Sequence, residues 1–237
     1  MLFRSFLMRN YLSTTALALS LSAGALVSLS ANSASVVLDF SGNIRVAAGN
    51  NAYTNFAQSG QNYGDTTGLN VSHRSTDLAG ATYEPFLKYW ANNYSGLNDI
   101  AWGGAGETGQ RSEFTFAALS GYTVTLDTVT FGSYLNAERR SSYTVRDLGT
   151  NALLFSSGGT FLVDANPDTF NPGVSSTSGL VLTWGPDGYN VGVDEIRLTV
   201  APTVTTAVPE PETYAMMLAG LGLLGFAARR RKQKSAA

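Results

Sequence analysis

Alternation at every second residue is the feature that most narrows what this chain can fold into. Tyr122, Val124 and Leu126 fall on one set of alternate positions, and Leu180, Leu182 and Trp184 on another. Successive side chains of a strand point to opposite faces, so each set makes one apolar face that a second sheet must cover. Strand candidates bounded by Gly, Asn, Asp and Ser recur at 36–40, 44–47, 113–117, 122–134, 142–148, 152–156, 180–184 and 189–200. Short strands at this spacing predict an all-β domain, a β-sandwich or jelly roll.

Two segments change phase. After Leu126 the apolar positions move to Val129 and Phe131, and after Val191 and Val193 they move to Ile196, Leu198 and Val200. Period-two geometry puts both sets on one face only if an extra residue intervenes. Bends are therefore expected near Asp127-Thr128 and Asp194-Glu195; the alternative is that each segment is two shorter strands. Residues 50–110 are rich in Asn, Gly, Tyr and Ser and predict long functional loops. Within them 83–94 offers a possible helix, although Phe86, Leu87, Tyr89 and Trp90 are too crowded to form one stripe.

The ends have a different character. Arg4 and Arg9 precede an apolar run from Tyr11 to Leu29, and the small residues Ala31, Ser33, Ala34 and Ser35 follow, the order of a secretory signal peptide over 1–34. Met8-Arg9-Asn10 would serve equally well as the start. At the other end stand Val208-Pro209-Glu210-Pro211-Glu212, an apolar stretch from Tyr214 to Ala228, and Arg229-Arg230-Arg231-Lys232. Two prolines keep the chain extended until a helix begins behind the second. Fifteen apolar residues span roughly 22 Å, short of the ~30 Å hydrocarbon core, so 214–228 reads as a short transmembrane helix suited to a temporary hold. The basic tail, 229–234, then stays inside while everything before it is exported.

Val208, Pro209, Glu210 and Pro211, the short apolar helix, and Arg229, Arg230 and Arg231 together resemble the PEP-CTERM tail, a tripartite C-terminal sorting signal of exported Gram-negative proteins. The resemblance implies recognition by an exosortase, a transient stay in the inner membrane after Sec export, and delivery to the cell surface or exopolysaccharide matrix. The segments 121–126, 131–132, 180–185 and 190–196 are similar to the β-sandwich common among such proteins, itself similar to galactose-binding-like jelly rolls. The chain thus divides into a signal peptide, 1–34; a β-sandwich ectodomain, 35–200; a Thr- and Pro-rich linker, 201–208; and the sorting signal, 208–234.

Charge narrows the function. Over 35–208 there are eight Lys and Arg, at 45, 74, 88, 111, 139, 140, 146 and 197, against fifteen Asp and Glu, a net charge of −7. The whole-chain value of −2 hides this, because the other seven basic residues lie in the two targeting segments. So acidic a domain excludes nucleic acid as a partner held by long-range attraction. With no Cys, neither a disulfide framework nor a thiolate site exists.

Catalytic signals are sparse. His73 is the single histidine, no G-x-S-x-G elbow accompanies it, and a structural role is expected. Asp164-Ala165-Asn166-Pro167-Asp168 alternates oxygen donors as a calcium loop does, but Thr169 and Ser175 stand where a Gly and a bidentate Glu belong, so a turn is expected rather than a structural calcium site. No cofactor is expected. The aromatics Tyr53, Tyr63, Tyr83, Tyr89, Trp90, Tyr94 and Trp102, interleaved with Asn and Asp, supply flat apolar faces and short polar groups of the kind sugars need. Trp90, Trp102 and Tyr94 are the candidate ligand contacts. The reading is a non-catalytic surface or matrix protein associated with exopolysaccharide or biofilm. The alternatives are a carbohydrate-binding module with one defined glycan site and a secreted hydrolase.

Overall fold

The structure, a computed structural model, describes residues 32–41, 56–106, 109–203 and 211–234. The signal-peptide segment, the strand expected over 44–47, and Tyr53, Val208, Pro209 and Glu210 lie outside these residues. The strands in chain order are β1 (Ala34–Leu38), β2 (Leu69–Asp77), β3 (Thr82–Glu84), β4 (Lys88–Trp90), β5 (Ile100–Trp102), β6 (Gln110–Ala118) and β7 (Tyr122–Ser133). Then come β8 (Arg139–Asp147), β9 (Leu153–Ser156), β10 (Phe161–Val163), β11 (Asp168–Phe170), β12 (Val174–Ser176), β13 (Gly179–Gly185) and β14 (Val191–Pro202), and last a helix, α1 (Pro211–Lys234).

Two seven-stranded antiparallel sheets pack face to face. The first runs β11-β7-β14-β5-β4, with β1 also paired to β14 and β12 to β7; the second runs β10-β8-β13-β6-β2-β3, with β9 also paired to β8. Val124, Leu126, Val129 and Phe131 of β7 and Val191, Val193, Ile196, Leu198 and Val200 of β14 line one inner face. Val71, Phe114, Phe116, Tyr143, Val145, Leu180, Leu182 and Trp184 line the other. Trp184 is wholly buried, stacks on Phe114 with ring centroids 6.0 Å apart, and donates its indole N–H to Val191 O at 2.8 Å.

Both expected bends exist, and β7 and β14 each continue through them as single strands. The β7–β14 register slips between Val193 and Ile196, where Asp194 and Glu195 together oppose the single residue Thr130, and again between Arg197 and Leu198, whose partners Thr128 and Leu126 skip Asp127. The extra residues let the apolar sets on either side of each slip share the core face. β14 also runs to Pro202, and Thr203 N–H donates to Gly121 O at 2.7 Å, so pairing reaches into the stretch read as linker.

The loop-rich reading of 50–110 is corrected. β2 to β5 and part of β6 occupy it, and 83–94 is not helical but holds β3 and β4 separated by Pro85. The crowding follows from this arrangement: Leu87 is buried just before β4, and within β4 Tyr89 is buried opposite Ala101 and Trp90 half-buried opposite Ile100. The helix α1 begins at Pro211, where a missing N–H costs nothing. It continues through the basic residues to Lys234 instead of ending before them, which still places cations at its C-terminal end. Met216, Leu218, Leu221, Leu224 and Phe226 are all exposed. Among the described residues no helix is long and apolar enough to cross a membrane, in keeping with a fifteen-residue apolar stretch interrupted by Gly220, Gly222 and Gly225.

Candidate functional site: a groove on the outer face of the second sheet

The outward residues of β2, β6, β13 and β8 form the floor of an open groove of about 930 Å³. Strand register arranges them in cross-strand rows. One row is Ser72, Thr115, Val181 and Arg146, and the next is Arg74, Glu113, Thr183 and Thr144. Arg111 and Ser142 extend the floor beyond Gly185. These are the alternate positions left by the inward set of Val71, Phe114, Phe116, Leu180, Leu182, Tyr143 and Val145, so the groove is the outer phase of the alternation that builds the core. Sequence reasoning missed it by looking for aromatic loops; its signal was the Thr, Arg and Glu recurring between core positions.

Arg74 Nε donates to Glu113 Oε1 at 2.6 Å and Arg74 Nη1 to the Thr82 hydroxyl at 3.0 Å. Arg146 Nη1 donates to Asn151 O at 3.0 Å. At the end of the groove Asp147 accepts from the Ser176 hydroxyl at 2.6 Å and from Thr150 N–H and hydroxyl at 2.7 and 2.8 Å, and these bonds hold its carboxyl well below the usual range. Among the described residues the aromatic side chains on the lining, His73, Tyr143 and Trp184, are all buried, so the floor offers no ring face for stacking.

His73 lies on the core side of β2 and is structural. Its Nε2–H donates to Gly60 O at 2.9 Å and its Nδ1 accepts from Leu87 N–H at 2.9 Å, which assigns the neutral tautomer, and burial pushes its pKa down. The Asp164 segment is a turn, with Asp164 Oδ1 accepting from Asn166 N–H at 2.8 Å. Among the described residues no group of three or more His, Asp or Glu is placed to hold a metal ion.

The three aromatic candidates gather elsewhere, about the ends of β4 and β5. Trp102 and Tyr94 are core, 1% and 2% exposed, and the Tyr94 hydroxyl donates to Tyr189 O at 2.9 Å. Trp90 is half-buried, edge-on to Phe56 at 4.9 Å and to Tyr134 at 5.1 Å. Phe56 is 54% exposed and caps both indoles. Neither the Trp90 nor the Trp102 indole N–H finds a partner among the described residues. Lys88 Nζ lies 5.0 Å from the Trp102 ring and pairs with Glu84 at 2.8 Å.

Of the tail, Pro211 opens α1 and Arg229 is exposed. Residues 207–232 match the PEP-CTERM protein-sorting motif. The chain therefore carries a PEP-CTERM sorting signal, which implies export, exosortase processing and membrane-anchored sorting to the surface. No curated protein matches the sequence. Among solved structures, a mutant GH29 fucosidase of Ruminococcus gnavus in complex with fucose is similar over 62% of this chain and 27% of its own, at 21% identity and TM-score 0.28. A CBM4 structure is similar over 48% of this chain and 77% of its own, at 15% identity and TM-score 0.26. The chain spans about a quarter of the fucosidase.

Proposed function

We propose that this is a non-catalytic surface or matrix protein whose β-sandwich holds exopolysaccharide in the groove of the second sheet. The observation that carries the reading is the groove itself. It crosses four strands, about 14 Å at ~4.8 Å per strand, and is open and lined by hydroxyl and guanidinium groups, a shape for a polymer laid along a surface. The sorting signal supplies the destination where such a polymer is met. Sec export by the N-terminal segment and a transient inner-membrane hold by α1 complete the route.

Co-sedimentation of the full chain with extracellular polysaccharide from the producing cell tests this. Thr115→Trp fills the middle of the floor from an outward position, so it should abolish co-sedimentation while leaving the melting temperature unchanged. Retained binding in that variant refutes the groove. A second reading, a defined glycan site at Trp90, Trp102 and Tyr94, is favoured by the two unpartnered indole N–H groups. It requires binding that is lost in Trp90→Ala and indifferent to Thr115→Trp.

A further inference from the structure

The groove is rich in free cationic donors and poor in free carboxylates. Its two carboxylates are already engaged. Glu113 takes Arg74 Nε on one oxygen and faces the Thr183 hydroxyl at 3.5 Å on the other. Asp147 is held by Ser176, Ser178 and Thr150. The guanidinium groups, with five N–H donors each, are not so engaged. Arg74 spends one nitrogen on Glu113 and one on Thr82, and Arg146 spends one on Asn151. The guanidinium of Arg111, exposed at the end of the floor, makes no hydrogen bond to the described residues. Three of the domain's eight cations thus face one groove, against two of its fifteen carboxylates.

We propose that the groove's ligand is an anionic polysaccharide bearing carboxylates, a polyuronate, gripped by Arg111 and Arg146 while Arg74 fixes Glu113. The proposal rests on the groove reading above and names its ligand class. A planar guanidinium fork matches a carboxylate in bidentate geometry, and a floor without ring faces favours charge recognition over stacking of neutral pyranoses. The domain's net charge of −7 opposes a polyanion at long range, so attraction acts at contact and the hydroxyls of Ser72, Thr115, Thr144 and Thr183 serve the sugar's own hydroxyls.

Titration calorimetry of the full chain in non-ionic detergent with polygalacturonate, dextran sulfate and dextran tests the proposal. Polygalacturonate is expected to bind, more weakly as NaCl rises from about 50 to about 300 mM. Arg111→Gln and Arg146→Gln should each weaken it about tenfold, the scale of one charge-assisted contact. Both variants leave the Arg74–Glu113 pair in place, and a thermal melt checks their folding. Dextran binding as tight as polygalacturonate, indifferent to the arginine variants but lost in Thr115→Trp, overturns the anionic ligand and keeps the groove. Dextran sulfate binding without polygalacturonate overturns the carboxylate. Absence of binding to all three overturns the proposal, and the groove itself is then judged on the cell's own polysaccharide.

Discussion

Replacing Asp194 by Asn should stabilise the protein, and more so at high pH. Asp194 occupies the bulge of β14, and burial, followed by the charges of Glu195, Asp99 and Asp39, raises its pKa from 3.8 to about 7. Because the folded-state value exceeds the unfolded one, the folded state keeps the proton while the unfolded state has lost it. Stability therefore falls as pH rises from about 4 to about 7 and stays low above. The full shift corresponds to about 4 kcal/mol at 1.36 kcal/mol per unit. Asp194 is partly solvated, and screening reduces the expected effect to about 1–2 kcal/mol. For a domain of this size that is about 2–8 °C in melting temperature. Other groups titrate in the same range: neutral His73, whose pKa burial lowers, stabilises the fold above its unfolded value and loses that contribution as pH falls. The informative quantity is thus the melting temperature of Asp194→Asn minus that of wild type, measured from pH 5 to pH 8 by scanning calorimetry. It should rise across that interval. A flat or falling difference would refute the assignment of a buried, repelled carboxyl in the bulge.

Further outcomes are expected. A Cβ at Gly132 would sit 2.7 Å from Tyr94 O, so Gly132→Ala should cost about 1–3 kcal/mol in urea unfolding, and a neutral result would show that the 94–97 turn does not press on β7. Trp184→Ala removes a wholly buried ring and leaves Val191 O without its indole partner, for a loss of about 3–5 kcal/mol by the same measurement. His73→Gln should reduce the loss of stability between pH 7 and pH 5, read as a smaller fall in melting temperature than wild type shows. Intact mass of the surface-delivered protein should show the residues after Pro211 removed, and Pro209→Ala with Pro211→Ala should leave full-length protein in the membrane fraction; surface protein that retains Lys232 would contradict cleavage.

The sandwich was legible where strands bury pure apolar sets. β7 and β14 announced both their course and their bulges, because two phases of large aliphatic residues can share a core only across an extra residue. β2 was not legible. Its core-facing positions after Val71 are His73 and Ser75, polar residues that the alternation cannot mark as inward. The three-residue strands β3, β4, β5, β10, β11 and β12 are too short for any period to show, and their pairing partners decide them. The aromatic residues pointed to an end of the sheet where Trp102 and Tyr94 serve packing. The groove was written in the outward Thr, Arg and Glu residues, whose meaning depends on which strands stand side by side, and a single sequence does not state strand order.

The central strand of the first sheet is also the last to be made. β14 lies between β7 and β5 and binds β1 as well, yet it ends at Pro202, only eight residues before the helix of the sorting signal. On the proposed Sec route, with the N-terminus crossing first, β1 to β13 reach the far side of the membrane with the keystone still missing. Among the described residues β1 pairs with no other strand, and the edge of β7 that β14 occupies stays open until Val191–Pro202 emerges. If the proposed inner-membrane hold acts at this stage, the sandwich closes on a tether of only eight residues between β14 and the held helix. Removal of that tether before β14 has docked would release an open sheet edge, which makes the order of folding and cleavage a safeguard against aggregation.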